Sequence, residues 1–97
     1  MKRKSDVYYV YMVVCSDDTI YTGYTNDLDS RIVKHNRGKG AKYVRGRCPV
    51  KLIYQEIHNS KSDAMKREYQ IKRLTHMEKL FLVSEKNEEK RIGLNIG

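Results

Sequence analysis

Cysteine is scarce in this chain, and acidic residues are missing from its middle. Cys15 and Cys48 are the only thiols, they form no C-x-x-C pair, and no secretory pattern precedes them. Two reduced thiols are the plain expectation, and nothing supports a disulfide framework. No apolar run approaches the roughly 18 residues of a membrane span. Met1 to Asp6 is basic but leads directly into a strand-like run without a signal-peptide cleavage pattern, so a cytoplasmic protein is expected. Ninety-seven residues can bury one core and leave no room for a second. No internal repeat is present. From Ser30 through Gln55 there is no aspartate or glutamate.

Cations fill that gap. Lys34, Arg37, Lys39, Lys42, Arg45, Arg47 and Lys51 fall inside it, and the chain carries a net charge of +8 with a pI near 9.6. A small domain this basic is expected to bind a polyanion, nucleic acid before an anionic membrane. Gly38 to Pro49, GKGAKYVRGRCP, holds three glycines and a proline and is expected to be a loop. A cationic loop with glycines for close backbone approach and one aromatic suits a phosphate backbone. Its candidate contacts are Lys39, Lys42, Tyr43, Arg45 and Arg47. A merely solvated basic loop competes with this, but the lack of a compensating acid favours binding. The Gly-x-Gly lacks the flanks of a dinucleotide or P-loop signature.

The most informative stretch is Tyr9 to Gly23, YVYMVVCSDDTIYTG. Val7 to Cys15 and Ile20 to Tyr24 are β-rich runs joined through Ser16-Asp17-Asp18-Thr19, a hairpin pattern. Side chains alternate with period two, so the turn decides which tyrosines share a face. A two-residue Asp17-Asp18 turn puts Tyr11 and Tyr21 on opposite faces. An odd connection such as Asp17 to Thr19 pairs Cys15 with Tyr21 and puts both phenols on one face.

Asn26 or Asp27 can cap a helix running to about Asn36, with Gly38 as its stop. Leu28 and Ile32 are its apolar anchors, and Arg31 and His35, also four apart, share a neighbouring face. Val50 to Ile57 is a third strand. Ser60 to Asp63 resembles a capping box opening a helix to about Leu74, with Ala64, Ile71 and Leu74 inward and Met65 and Tyr69 alongside. Glu68 falls on that stripe, where an ionised carboxylate is costly unless paired or metal-bound. A salt bridge to Lys72 or Arg31 and a metal-ligand role are both open. Thr75 to Glu78 is a second capping box, opening a short helix with Met77, Leu80 and Phe81 on its apolar side. His76 has no partner at zinc-ligand spacing and is expected at the surface. The expected division is a basic extension at 1–6, one domain at 7–84 and a polar, loosely attached tail at 85–97.

The order strand, strand, helix, strand, helix, helix can gather two phenols, a guanidinium, an imidazole and a carboxylate. That set suits metal-assisted phosphodiester hydrolysis. Glu68 could hold Mg²⁺ (or Mn²⁺), Arg31 could stabilise charge at phosphorus, and a phenolate from Tyr11 or Tyr21 could take a proton from water. A free phenol is ionised about one part in a thousand at pH 7, so neighbouring cations are required.

Tyr9-Val10-Tyr11, Tyr21-Thr22-Gly23, Arg31, His35-Asn36, GKGAKYVRGRCPVKL and the REYQIKRL stretch around Glu68 together resemble a GIY-YIG nuclease domain of the small stand-alone bacterial kind. The likeness covers about Val7 to Val83. It implies an α/β fold of the α+β type, a three-stranded antiparallel sheet flanked by helices, and divalent-metal-dependent cleavage of DNA in repair or recombination. Tyr11, Tyr21, Arg31 and His35 carry over as catalytic residues, Glu68 as metal ligand and Gly23 as structural. Tyr9 stands where the family has its first glycine. Asn87 is the nearest candidate for a late asparagine and is not assigned. Larger relatives carry separate DNA-binding domains, so a protein partner supplying specificity is one expectation. A non-catalytic nucleic-acid-binding module on the same fold is the alternative.

Overall fold

The computed structural model describes residues 7–96, with side chains over residues 7–88. The expected basic extension, Met1 to Asp6, lies outside the described residues. Six elements follow in order: β1 Tyr8–Val14, β2 Ile20–Thr25, α1 Leu28–Asn36, β3 Lys51–His58, α2 Lys61–Lys72 and α3 His76–Ile96. The sheet is antiparallel in the order β2-β1-β3, and the fold is α+β. No helix among the described residues is long and apolar enough to cross a membrane.

β1 is central because both of its faces are apolar. Val10, Tyr11, Met12 and Val13 are all 0% exposed. Tyr11 and Val13 pack with Cys15, Leu28, Val44 and Val50, while Val10 and Met12 pack with Tyr54, Ala64 and Ile71. One sheet face therefore receives α1 and the 38–50 loop, and the other receives α2 and α3. Burying a side chain of this size contributes roughly 1.5–3 kcal/mol, so β1 is the element most costly to disturb.

Val14 pairs with Ile20, Val13 with Tyr21 and Tyr11 with Gly23. The connection from Cys15 to Thr19 has odd length, and Tyr11 and Tyr21 share a face. This register differs by one two-residue step from the shorter odd turn that pairs Cys15 with Tyr21, and a step of two preserves the face. Asp17 shapes the turn by accepting from the Thr19 N–H at 3.2 Å and the Thr19 hydroxyl at 2.6 Å.

Asp27 is the residue that caps α1, accepting from the Ser30 N–H, and Gly38 leaves the helix at φ 73°. Ser60 accepts from the Asp63 N–H at 3.1 Å to open α2. Thr75 and Glu78 exchange N–H bonds at 2.8 and 3.2 Å, a full capping box before α3.

Two helix faces differ from expectation. Met65 and Tyr69 do not join the buried stripe; they are 46% and 62% exposed, one residue on from Ala64 and Glu68 and so rotated toward solvent. α3 is not short: it runs through the boundary set at Ser84 and continues to Ile96. It meets the sheet through Leu82 and Val83. A period of 3.6 residues then turns Met77 and Phe81 outward, where they are 74% and 66% exposed.

Candidate active site

Tyr11 and Tyr21 stand diagonally on neighbouring strands with ring centroids 6.3 Å apart. Gly23, directly opposite Tyr11, lets them lean together. A Cβ at Gly23 would lie 2.7 Å from Tyr11 Oη and 3.0 Å from the Tyr21 ring, so close ring approach requires glycine.

α1 lays Arg31 and His35, one turn apart, over the phenols. His35 is fully buried, its Nε2 is 2.8 Å from Tyr11 Oη, and its ring meets Tyr21 edge-on at 5.5 Å. Gly40 closes over it: a Cβ there would lie 2.1 Å from His35 Nδ1. Sequence reasoning reads Gly40 as a loop glycine suited to close approach of a phosphate backbone, not as a cover for His35. Its one signal was position, the second glycine of a Gly-x-Gly five residues after the imidazole.

Burial pushes the Tyr11 phenol up to about 12, against the pull of Arg31. Contact with Tyr11 raises the Arg31 guanidinium further above neutrality. Burial, and then Arg31, lowers His35, so the imidazole is neutral at pH 7. His35 Nδ1 and Arg31 Nε are buried without hydrogen-bond partners. Orphaned N–H groups are rarer than orphaned acceptors, which favours the tautomer whose Nε2–H donates to Tyr11 Oη. The unsatisfied Arg31 Nε–H beside two phenols is a donor suited to an anionic oxygen.

Glu68 comes from α2, on the other side of the sheet. Its side chain is 18% exposed and lies 3.6 Å from Lys72 Nζ, an i, i+4 pair. Lys72 Nζ in turn stands 5.9 Å from the Tyr21 ring centroid, and the Glu68 charge is felt at Tyr11. The carboxylate is thus largely withdrawn from bulk solvent and lies within electrostatic range of Tyr11. Among the described residues no three His, Cys, Asp or Glu side chains cluster as a metal cage. One half-buried carboxylate fits a hard cation that keeps most of its waters and takes further oxygens from substrate.

The loop cations divide. Lys39, Lys42 and Arg45 are exposed, and Arg45 Nε also donates to the Gly40 carbonyl at 3.2 Å. Arg47 is ion-paired with Asp17 at 2.5 Å and lies 4.4 Å over the Tyr43 ring, which stacks on Tyr21. Sequence reasoning missed Asp17, although it is the acid of the turn between the two phenol-bearing strands. Asn87 lies elsewhere, lining a cavity of about 550 Å³ with β3 and Lys86. Neither that cavity nor an apolar groove of about 650 Å³ on α3 is lined by Tyr11, Tyr21, Arg31, His35 or Glu68.

A family model described as the GIY-YIG catalytic domain matches residues 7–80. A UPF0213 protein of Staphylococcus aureus is 53% identical over 81 residues, covering 84% of this chain and 99% of that protein. A UPF0213 protein of Staphylococcus saprophyticus is 52% identical over 80 residues, covering 82% and 98%. The solution NMR structure of a UPF0213 protein from Bacillus halodurans is similar at a TM-score of 0.55 and 50% identity, over 82% of this chain and 85% of that one. A solution NMR structure of an E. faecalis protein is similar at a TM-score of 0.55 and 37% identity, over 80% and 84%.

Proposed function

The chain belongs to the family of the GIY-YIG catalytic domain, and from that premise we propose that it is a divalent-metal-dependent endonuclease hydrolysing phosphodiester bonds of DNA. One observation carries this: two phenols, a guanidinium and a neutral imidazole meet on one sheet face, and the charge of a half-buried carboxylate on α2 reaches them.

The phenols are not equivalent. Tyr11 is 0% exposed, and holding it ionised at pH 7 from a pKa of about 12 costs about 7 kcal/mol. It keeps its proton and, tied to His35, fixes the direction of Arg31. Tyr21 is half-buried at the rim, where water can reach it. Tyr21 takes the proton of the attacking water as the new O–P bond forms and the scissile P–O bond breaks. Arg31 neutralises charge on the phosphoryl oxygens, and the leaving oxygen takes its proton from solvent. Glu68 would hold Mg²⁺ or Mn²⁺, which when bound supplies charge neutralisation at the phosphate and leaving oxygen. Lys39, Lys42 and Arg45 grip the backbone from the loop.

The test is incubation of the purified protein with nicked, flapped, branched and single-stranded DNA, with and without Mg²⁺ or Mn²⁺. Metal-dependent cleavage is expected, abolished in Glu68→Ala while salt-sensitive binding persists. Binding without cleavage under either ion would instead establish the non-catalytic module.

A further inference from the structure

Tyr43 and Arg47 lie in the basic loop, where phosphate contact is the obvious role, yet neither is free for it. Arg47 Nη1 is 2.5 Å from Asp17 Oδ2, and Arg47 Nε donates to the Tyr43 carbonyl at 2.9 Å. The same guanidinium covers the Tyr43 ring at 4.4 Å. That ring stacks on Tyr21 at 6.0 Å between centroids, with the planes 24° apart. Asp17 is held by Thr19, and the Ser16 N–H bonds the Arg47 carbonyl at 2.8 Å. The turn that joins the two phenol-bearing strands therefore grips the loop that covers them.

We infer that Asp17, Arg47 and Tyr43 form a clamp that positions the Tyr21 phenol. Tyr21 sits on an edge strand and is half-exposed, so the sheet alone does not fix its hydroxyl. His35 meets the ring edge-on, and Tyr43 supplies a stacking wall. A stacked ring restrains its neighbour only as well as it is itself held, and Arg47, anchored to the Asp17 carboxylate, covers the Tyr43 ring. Tyr43 and Arg47 thus act through Tyr21 as positioning residues, not as contacts to the polymer. The functional part of this rests on the nuclease reading above; the geometric part does not.

The experiment compares Asp17→Asn, Arg47→Gln, Tyr43→Leu and Tyr43→Phe, with thermal unfolding as the control for folding. In the free protein, the Tyr21 ring resonances are expected to shift in the first three and to return in Tyr43→Phe. With DNA and Mg²⁺, the first three should lose about 10- to 100-fold in kcat with KM and the salt slope of binding held, and Tyr43→Phe should restore turnover. A phosphate contact behaves differently: Arg47→Gln would lower the salt slope by about one. Asp17→Asn, by removing a competing anion, would then tighten binding with kcat intact. That pattern overturns the clamp, as do Tyr21 resonances unchanged in Asp17→Asn. A wild-type protein that cleaves none of the DNAs sinks the nuclease reading alone, and the ring resonances then decide the clamp.

Discussion

Alanine at position 23 is the sharpest single perturbation of the site. Its Cβ would stand 2.7 Å from Tyr11 Oη, about 0.7 Å inside the 3.4 Å at which ordinary contact begins, and 3.0 Å from the Tyr21 ring. Tyr11 has no room to retreat, being 0% exposed with its hydroxyl against His35. The phenols must therefore move apart by something near 1 Å, at an overpacking cost of about 1–3 kcal/mol. Replacing glycine by alanine inside a strand returns about 0.5 kcal/mol. A net loss of about 0.5–2.5 kcal/mol lowers Tm by roughly 2–20 °C in a domain of this size. A 1 Å misplacement of reacting groups costs about 100-fold in rate, which is the larger effect. Gly38→Ala is the control: φ is 73° but nothing lies within 4 Å of its Cβ, so stability should fall and turnover should not. Thermal unfolding by circular dichroism and single-turnover cleavage read the two quantities separately. Turnover of Gly23→Ala within about twofold of wild type would refute the idea that chemistry needs the rings held together.

Two further outcomes follow from buried titratable groups. His35 is lowered, so its contribution to stability is present above the unfolded value near 6.5 and is lost as pH falls below it. Tyr11 and Tyr54 are raised to about 12, so their contributions are present below about 10 and lost between about 10 and 12, each up to about 3 kcal/mol. Urea unfolding against pH should show both declines, the acid one flattened in His35→Gln and the alkaline one reduced in Tyr11→Phe; a flat wild-type profile from pH 10 to 12 contradicts the burial argument. Separately, Glu56 accepts from Tyr54, His58 and Arg67 and ties β3 to α2. Glu56→Gln leaves the Arg67 charge half-buried and unpaired and is expected to cost about 2 kcal/mol in thermal unfolding, less if solvent screens the pair.

Element order was legible because each piece carried its own local signal: β-branched runs, Ser60 and Thr75 as caps, Gly38 as a stop. Arg31 and His35 were legible as a pair because helical periodicity is local. The hairpin was legible as a choice between two parities, and only long-range pairing selects one of them. Less was legible where packing decides. Nothing in the order of residues says that α3 presents Leu82 and Val83 to the sheet instead of Met77 and Phe81, because a helix with apolar residues on several sides is aimed by its neighbours. The tie of Asp17 to Arg47 spans thirty positions, and the contact of Gly40 with His35 depends on how the loop folds back. Both are tertiary facts without a sequence motif.

The five residues joining β1 to β2 also constrain how relatives of this chain can drift. One inserted or deleted residue there would carry Tyr21 to the far side of the sheet, away from its companions. Two would slide the ladder and keep the ring on the same face. Length variation among working members should therefore come in even increments at this turn, while the 38–50 loop is free to gain or lose single residues wherever it does not touch His35 or Tyr43.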